Sequence, residues 1–278
     1  MFSISKQTDH IGAEISGIDL SQPIPPEAAD ALRQAFVDHS VLAIRDQKLD
    51  APAFLNATRL FGDPLRQHLK QFNLPECPDV ATISNQEKTK EGKINVRGVS
   101  WHTDHSFQPE PPKATALYAV SLPTKGGDTE WAHMGAAYDA LPASLRAEVD
   151  TLEAVHAYTE SRVPPKLAER IAAGEDDASD GVVHPLIRTH PDNGRKSIYL
   201  NPLRVRRFRG MTPERCADLI ERIVTHATQP EFVYTHRWRA GDMVIWDNRC
   251  CIHKANADYD FEELRLLYRI IIQGDTPR

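Results

Sequence analysis

Residues 100–107 read SWHTDHSF and place an imidazole and a carboxylate, those of His102 and Asp104, two positions apart. The run predicts a strand, in which alternate side chains share a face with their Cα atoms about 6.6 Å apart. The two groups can then converge on one metal ion, which needs a third ligand. The preferred candidate is His253, at the end of residues 244–253, which read as a buried strand running into a loop. Two histidines and one carboxylate suit a divalent iron with open coordination positions.

The residues alone do not fix this ligand set. A His-x-Asp triplet is a weak signal in a chain with 12 histidines. His190, His226 and His236 are also available as the third ligand. The assignment therefore depends on other motifs.

Composition excludes several classes of function. A chain of 278 residues with 41% hydrophobic content can bury one full core, and we expect a single domain over residues 1–278. The net charge of -6 and a pI near 6.1 argue against nucleic-acid and anionic-membrane partners and favour small molecules. No apolar run approaches the roughly 20 residues of a membrane span, and residues 1–7 lack the apolar stretch of a secretory signal. We therefore expect a cytoplasmic protein. Its four cysteines form no CxxC pair, so buried thiols are expected.

Short apolar runs separated by Pro and Gly predict a mainly β fold with flanking helices, a sandwich or barrel of jelly-roll type. We predict helices over residues 26–39, 52–61, 134–141, 143–150 and 212–227. Strands are predicted over residues 12–18, 41–44, 80–84, 100–107, 114–122, 182–189, 197–201, 231–238, 242–246 and 265–273. The polar, charged stretch near residues 160–181 contains GEDD and predicts a lid insertion.

The last predicted strand places Arg265, Leu267 and Arg269 on one face in an apolar setting. A buried guanidinium needs an anion, because an unpaired buried charge is very costly. That anion is either an internal carboxylate or a bound acid gripped in a forked geometry. Thr129 adds a hydroxyl after the glycine turn of residues 126–128, although that turn is also compatible with a simple hairpin.

Jointly and in order, these motifs resemble the taurine dioxygenase and 2,4-D dioxygenase family of iron(II)- and 2-oxoglutarate-dependent oxygenases. The motifs that carry the resemblance are WHTD at 101–104 with Phe107, GGDT at 126–129, HP at 184–185, RTH at 188–190, WDNR at 246–249, His253, and Arg265 with Arg269. The similarity runs over nearly the whole chain. It implies a double-stranded β-helix, the jelly-roll core also found in cupins, with helices outside it.

The resemblance also implies roles for single residues. His102, Asp104 and His253 would bind Fe(II) and form the catalytic centre. Thr129 and Arg265 would hold the distal carboxylate of 2-oxoglutarate. Arg269 would lie near the substrate anion or the inner carboxylate of the cosubstrate. His68 and Phe107 match positions at which substrate is bound, with a solvated loop histidine and ordinary core packing as the alternatives. A homo-oligomer is expected by the same resemblance.

The implied reaction is hydroxylation of a small organic anion by O2, with 2-oxoglutarate converted to succinate and CO2. A sulfonate, an aryloxyalkanoate or a related acid is expected, and the hydroxylated product can cleave. The run RGVS at 97–100 departs from the taurine enzymes, which carry an Asn shortly before the first metal histidine. Taurine itself is therefore not the expected substrate.

Two other classes of function stay open at this point. One is a metal-dependent hydrolase or isomerase on a cupin-like barrel, and the other is a non-catalytic barrel that binds a small acid. Arg265 and Thr129 favour the oxygenase, because a hydrolase has no need of a second organic acid and a sensor has no need of an open iron position.

Overall fold

The computed structural model describes residues 2–65, 72–87, 96–158 and 181–278. Its strands are numbered in chain order: β1 Ser3–Lys6, β2 Ala13–Ser16, β3 Val41–Ile44, β4 Pro64–Leu65, β5 Asn73–Leu74, β6 Cys77–Ser84, β7 Ala114–Ser121, β8 Thr129–His133, β9 Glu153–His156, β10 Val182–Pro185, β11 Ile187–Thr189, β12 Lys196–Ile198, β13 Val205–Phe208, β14 Val233–His236, β15 Met243–Asp247, β16 Cys251–Ala255 and β17 Leu266–Ile272. The helices are α1 Pro26–His39, α2 Ala51–Thr58, α3 Met134–Asp139, α4 Ala143–Val149 and α5 Pro213–Ala227.

Two sheets face each other around the core. The larger has nine strands in the order β1-β2-β3-β15-β7-β17-β6-β5, with β4 added beside β17, and the smaller has the order β14-β8-β16. Trp131 of β8 meets Trp246 of β15 across the interior, with ring centroids 5.5 Å apart. The mainly β prediction with helices outside a two-sheet core is confirmed.

Strand β15 shows why the large sheet is covered on both faces. All five of its residues are buried. Met243 and Ile245 belong to the apolar cluster under α1 and α2, whereas Val244 and Trp246 belong to the cluster between the sheets. Because alternate side chains leave opposite faces of a strand, an unbroken apolar run is expected where both faces are buried.

The helices follow their predicted signals closely. Helix α1 begins at Pro26 and buries a stripe that includes Leu32 and Phe36. Helix α5 is capped by the Thr212 hydroxyl, which accepts from the Arg215 backbone N–H. Helix α2 ends at Thr58, before the predicted end at residue 61, because residues 59–61 close a tighter turn with i→i−3 backbone bonds.

Two predicted strands are wrong in ways that bear on function. Residues 100–107 contain a single β-bridge, at His102, followed by a turn. The run 182–189 is divided between β10 and β11 by a bend at residue 186. The strand predicted over residues 242–246 is confirmed as β15, but after a turn at 248–250 the chain enters the small sheet as β16, where a loop was expected. Strands β1, β4, β5, β8, β9, β13 and β16 were not predicted.

Other expectations meet the structure only in part. The lid predicted near residues 160–181 lies outside the described residues, apart from Gly181. The four cysteines are free and buried. Among the described residues, no helix has the length and apolar composition needed to cross a membrane.

Candidate metal and cosubstrate site

A single bridge between two chain segments brings the first two candidate ligands together. The His102 backbone N–H donates to the His253 carbonyl at 3.0 Å, and the His253 N–H donates to the His102 carbonyl at 2.7 Å. The two imidazole rings lie side by side with centroids 4.2 Å apart. His253 is the central residue of β16, so its position is set by the small sheet and not by a loop at the end of a strand.

Asp104 joins the two histidines through a turn. The Thr103 hydroxyl donates to the Asn248 carbonyl at 3.0 Å, and the Asn201 amide donates to the Thr103 carbonyl at 2.6 Å. One ligand atom from each of His102, Asp104 and His253 lies within 4.8 Å of the others. The predicted convergence is present, although a bridge and a turn produce it in place of strand alternation.

The other three histidines are engaged elsewhere. His226 bonds the Ala137 carbonyl at 2.8 Å. His236 bonds Asp242 at 3.0 Å and also contacts the Tyr234 hydroxyl. His190 lies 3.0 Å from an oxygen of Asp247. The structure therefore favours His253 among the candidates that the sequence left open.

The protonation states in this cluster suit a divalent cation. Burial alone would raise the pKa of Asp104, but the charge of Arg269 and the neighbouring imidazoles hold it well below its usual range. Burial and the nearby His102 hold the pKa of His253 well below its usual value, so that imidazole is neutral. An ionised carboxylate and neutral imidazoles are the forms that bind metals.

Hydrogen bonds around the cluster also fit a metal. His102 Nδ1 lies 2.8 Å from the Ser100 carbonyl, which fixes it as the donor and leaves Nε2 with a free lone pair. Asp104 accepts from the Thr115 hydroxyl at 2.6 Å and from Arg269 at 3.0 Å. His253 Nδ1 is buried without a hydrogen-bond partner in the described part of the chain. A buried nitrogen without a hydrogen-bond partner costs free energy unless a bound group interacts with it.

One cavity between the sheets joins this cluster to the predicted cosubstrate residues. Its lining comprises Ile83, Arg97, Gly98, His102, Asp104, Leu117, Thr129, Trp246, His253, Ala255, Arg265, Leu267 and Arg269. The predicted common face of Arg265, Leu267 and Arg269 is therefore confirmed. The apolar lining provides room for the body of a ligand beside three guanidinium groups.

Arg265 is a buried cation that forms no salt bridge with any described residue. Its side chain donates to the Gly127 carbonyl at 3.1 Å, while Nε has no partner. Burial lowers the pKa of Arg265, and the opposing charges of Tyr259 and Asp128 are weaker. Gly127, at φ 74°, allows the close approach, because a Cβ there would lie 3.1 Å from Arg265 Nε. A bound carboxylate would satisfy this guanidinium.

Thr129, at the start of β8, lines the same cavity. The Trp238 indole N–H donates to Thr129 Oγ1 at 3.0 Å. An indole nitrogen can only donate, so the hydroxyl must accept here and keeps its own proton for another acceptor. Sequence reasoning missed Trp238, because nothing in the sequence links it to residue 129.

The remaining predicted site residues have different positions. Phe107 packs on Tyr158 and His105, with centroids 4.9 Å and 5.5 Å away, and is absent from the lining of the cavity formed by the described residues. His68 lies outside the described residues. Their roles in substrate binding stay predictions. Arg97 lines the cavity and was not predicted to act there.

A second group of metal-ligand side chains comprises His190, Asp247 and Cys250, all buried. Here Arg249 donates to both oxygens of Asp247, at 2.9 Å and 2.6 Å, and also to Asp192. The guanidinium of Arg249 is therefore already paired with the carboxylate of Asp247. This group has the composition of a metal site but does not line the cavity that contains the first.

Comparisons with known proteins agree with these features. Residues 3–271 match the family described as taurine catabolism dioxygenase TauD, TfdA family. The chain is 33% identical over 282 residues to the alpha-ketoglutarate-dependent 2,4-dichlorophenoxyacetate dioxygenase of Cupriavidus pinatubonensis, covering 95% of each chain. It is also 33% identical to the alpha-ketoglutarate-dependent sulfate ester dioxygenase of Pseudomonas putida, covering 96% of this chain and 88% of the relative. The crystal structure of AAD-2 in complex with Mn(II) and N-oxalylglycine superposes with a TM-score of 0.80 at 30% identity, covering 100% of this chain and 99% of that one.

Proposed function

The chain belongs to the TauD/TfdA family of alpha-ketoglutarate-dependent dioxygenases, and we propose that His102, Asp104 and His253 hold its Fe(II). Two imidazoles and one carboxylate leave open positions on an iron ion. Bound iron and 2-oxoglutarate supply the activation of O2, with succinate and CO2 as products. Arg269 and Thr115 each hold one oxygen of Asp104, which fixes the orientation of that carboxylate.

The distal carboxylate of 2-oxoglutarate is assigned to Arg265 and Thr129. Arg265 is a buried cation that forms no salt bridge with a described residue and whose Nε has no partner, and Thr129 has a hydroxyl proton to donate. Both line the cavity that contains the proposed iron ligands. Binding there removes the cost of an unpaired buried guanidinium, and it orients the keto acid towards the metal.

The substrate is a small organic monoanion, and the charge of the cavity carries this proposal. Three arginines line it, against the single carboxylate of Asp104 within it and that of Glu87 paired to Arg97. The charges of Fe(II) and of 2-oxoglutarate cancel. One positive charge is left over, and a buried charge needs a partner. A substrate with one acid group supplies it.

Arg269 provides one contact for that acid group, since one nitrogen donates to Asp104 and a guanidinium carries further N–H donors. The apolar lining suits an aryl or alkyl body, as in the aryloxyalkanoates and sulfur acids named for the relatives. When hydroxylation falls on a carbon that bears an ether or ester oxygen, the product collapses with cleavage. The chain's residues choose that carbon by holding the two ends of the substrate.

A succinate-release screen tests the proposal. The wild-type enzyme, supplied with Fe(II), 2-oxoglutarate and O2, is given 2,4-dichlorophenoxyacetate, phenoxypropionate, alkyl sulfates and alkyl sulfonates, each beside its neutral ester or amide. We expect at least one anion, and none of the neutral analogues, to stimulate succinate release. Equal stimulation by an anion and its neutral analogue would contradict the charge argument. Asp104→Ala is the matched control for release that does not depend on the site.

A further inference from the structure

Arg97 holds a position that the assignments above do not use. It lines the cavity that contains the proposed iron ligands and also an adjoining smaller cavity, and Arg265 lines both. The side chain of Arg97 is 35% exposed, whereas Arg265 is 6% exposed as a residue. Arg97 therefore marks the more open side of the cavity and Arg265 the deeper side.

Two contacts hold the Arg97 guanidinium in place. It stacks over the Phe72 ring at 3.9 Å from the centroid, and it forms an ion pair with Glu87, in which nitrogen and oxygen lie 2.7 Å apart without the geometry of a hydrogen bond. Its backbone is also fixed, because the carbonyl of the following residue, Gly98, accepts from the Ala255 N–H at 2.7 Å in β16. The same strand carries His253. A guanidinium held by a ring and one carboxylate keeps further N–H donors for an incoming group.

Glu87, the counter-ion of Arg97, lies outside the proposed iron site. Both of its carboxylate oxygens are buried, and burial raises the pKa of Glu87 against the opposing charge of Arg97. Asp104, the partner of Arg269, belongs to the proposed iron site and cannot leave without disturbing it. Glu87 is not one of the proposed iron ligands, so the ion pair between Arg97 and Glu87 can rearrange while the metal cluster stays intact.

We propose that Arg97 binds the acid group of the primary substrate at the open side of the cavity, with Glu87 as the resident counter-ion that this acid displaces or shares. The inference rests on the proposed function, since it names the residue that selects a monoanionic substrate. Exchange of one carboxylate for another on Arg97 leaves no guanidinium unpaired during substrate entry. Arg97 is thus a specificity-determining residue, and Phe72 and Glu87 are its positioning residues.

The test compares wild type with Arg97→Gln, Arg97→Lys and Glu87→Gln, and uses Arg33→Gln, an exposed charge loss on α1, as the control. The probes are 2,4-dichlorophenoxyacetate, an alkyl sulfate and the neutral methyl ester of the first. Three quantities are measured. Succinate release gives the apparent Michaelis constants for the anion and for 2-oxoglutarate, called the anion constant and the 2-oxoglutarate constant. The third quantity is the anaerobic absorption band of the enzyme with Fe(II) and 2-oxoglutarate. The band reports an intact, folded site without turnover.

We expect Arg97→Gln to raise the anion constant about tenfold, the effect of losing one charged contact at a partly exposed position. The 2-oxoglutarate constant and the absorption band should not change, and the ester should still fail to raise succinate release above background. Arg97→Lys should lie between wild type and Arg97→Gln, because it keeps the charge and loses the fork. Glu87→Gln should lower the anion constant a few-fold, since a competing carboxylate is removed.

An anion constant that moves no more in Arg97→Gln than in Arg33→Gln would overturn the assignment of Arg97, and a higher constant in Glu87→Gln would overturn the counter-ion role. If Arg97→Gln lost the absorption band, its site would no longer be intact and Arg97→Lys would be used instead. An anion constant in Arg97→Lys equal to that of wild type would then refute the forked contact. Failure of every anion to stimulate the wild-type enzyme would instead refute the proposed function, and this inference with it.

Discussion

The chain contains two buried clusters with similar metal-ligand side chains. His102, Asp104 and His253 form one, and His190, Asp247 and Cys250 form the other. In the first, the carboxylate receives one guanidinium nitrogen and one hydroxyl, and the cluster lines a cavity. In the second, Arg249 grips both carboxylate oxygens, and His190 occupies one of them as well. Donor type alone therefore does not make a metal site.

The difference lies in where each cluster places its cation. A bidentate guanidinium satisfies Asp247 inside the protein, so this cluster ties the loop containing His190 to the turn after β15. Asp104 instead faces a space that a metal ion and a keto acid can enter. We infer that the second cluster stabilises the fold and the first one performs chemistry.

The largest expected effect follows from removing the carboxylate of the cavity cluster. Asp104→Ala should abolish succinate release, because the proposed iron loses one of its three protein ligands and Arg269 loses its partner. Turnover is measured with the best anion of the screen, and circular dichroism checks the fold. Normal turnover in this variant would remove Asp104 from the site.

The matched substitution in the second cluster should damage stability and spare chemistry. Asp247→Asn leaves the buried Arg249 short of its main anion, which should lower the free energy of unfolding by about 3–5 kcal/mol. Urea unfolding gives this value. Iron binding per folded molecule should stay at the wild-type level, and its loss alongside unchanged stability would reverse the two assigned roles.

The second cluster should also make stability depend on pH. Burial alone would lower the pKa of His190, but its interactions with Asp247 and, next in size, with Cys250 raise it to about 9. The folded-state pKa of His190 lies above the unfolded value of about 6.5, so protonated His190 stabilises the folded state. This stabilisation is fully present below about pH 6.5 and is lost as the pH rises towards 9. The free energy of unfolding should fall by about 2–3 kcal/mol over this window.

His190→Gln is the control for this pH dependence. It keeps a hydrogen-bond donor beside Asp247 and removes the titrating group. Urea unfolding at pH 6 and pH 9 should show a much smaller difference in this variant than in wild type. Equal differences in the two proteins would assign the pH dependence to another group.

The smallest expected effect concerns the positioning of Thr129. Trp238→Phe removes the indole donor, so the hydroxyl of Thr129 is no longer forced to donate towards the cavity. One hydrogen bond is worth about 0.5–1.5 kcal/mol, which corresponds to a roughly two- to tenfold rise in the 2-oxoglutarate constant. Trp238→Phe should add little when Thr129→Val is already present, whereas independent effects would refute the link.

The sequence predicted the proposed site better than it predicted the local geometry of that site. Residues 100–107 were predicted to form a strand, yet only His102 pairs with a neighbour. The Asn201 amide and the Asn248 carbonyl hold Thr103 from distant parts of the chain, and this tertiary bonding overrides the strand preference. The convergence of His102, Asp104 and His253 was predicted from alternation along a strand, whereas a β-bridge and a turn produce it.

Other features could not be predicted, because they arise only from packing. The turn between β15 and β16 places His253 in the small sheet, although residues 244–253 read as a buried strand running into a loop. Trp238 reaches Thr129, and Glu87 reaches Arg97, through contacts that no local pattern encodes. By contrast, α1 and β3 were predicted with their observed bounds, since periodicity and the proline start are local signals.

The central claim is that one of the two clusters holds Fe(II) beside 2-oxoglutarate and the other holds no metal. Anaerobic titration of wild type, His253→Ala and His190→Ala with Fe(II), in the presence of 2-oxoglutarate, tests it most directly through the absorption band and the bound metal per chain. We predict one iron per chain in wild type and in folded His190→Ala, and loss of both the band and the iron in His253→Ala. Retention of iron and band in His253→Ala, or their loss in a folded His190→Ala, would contradict the account.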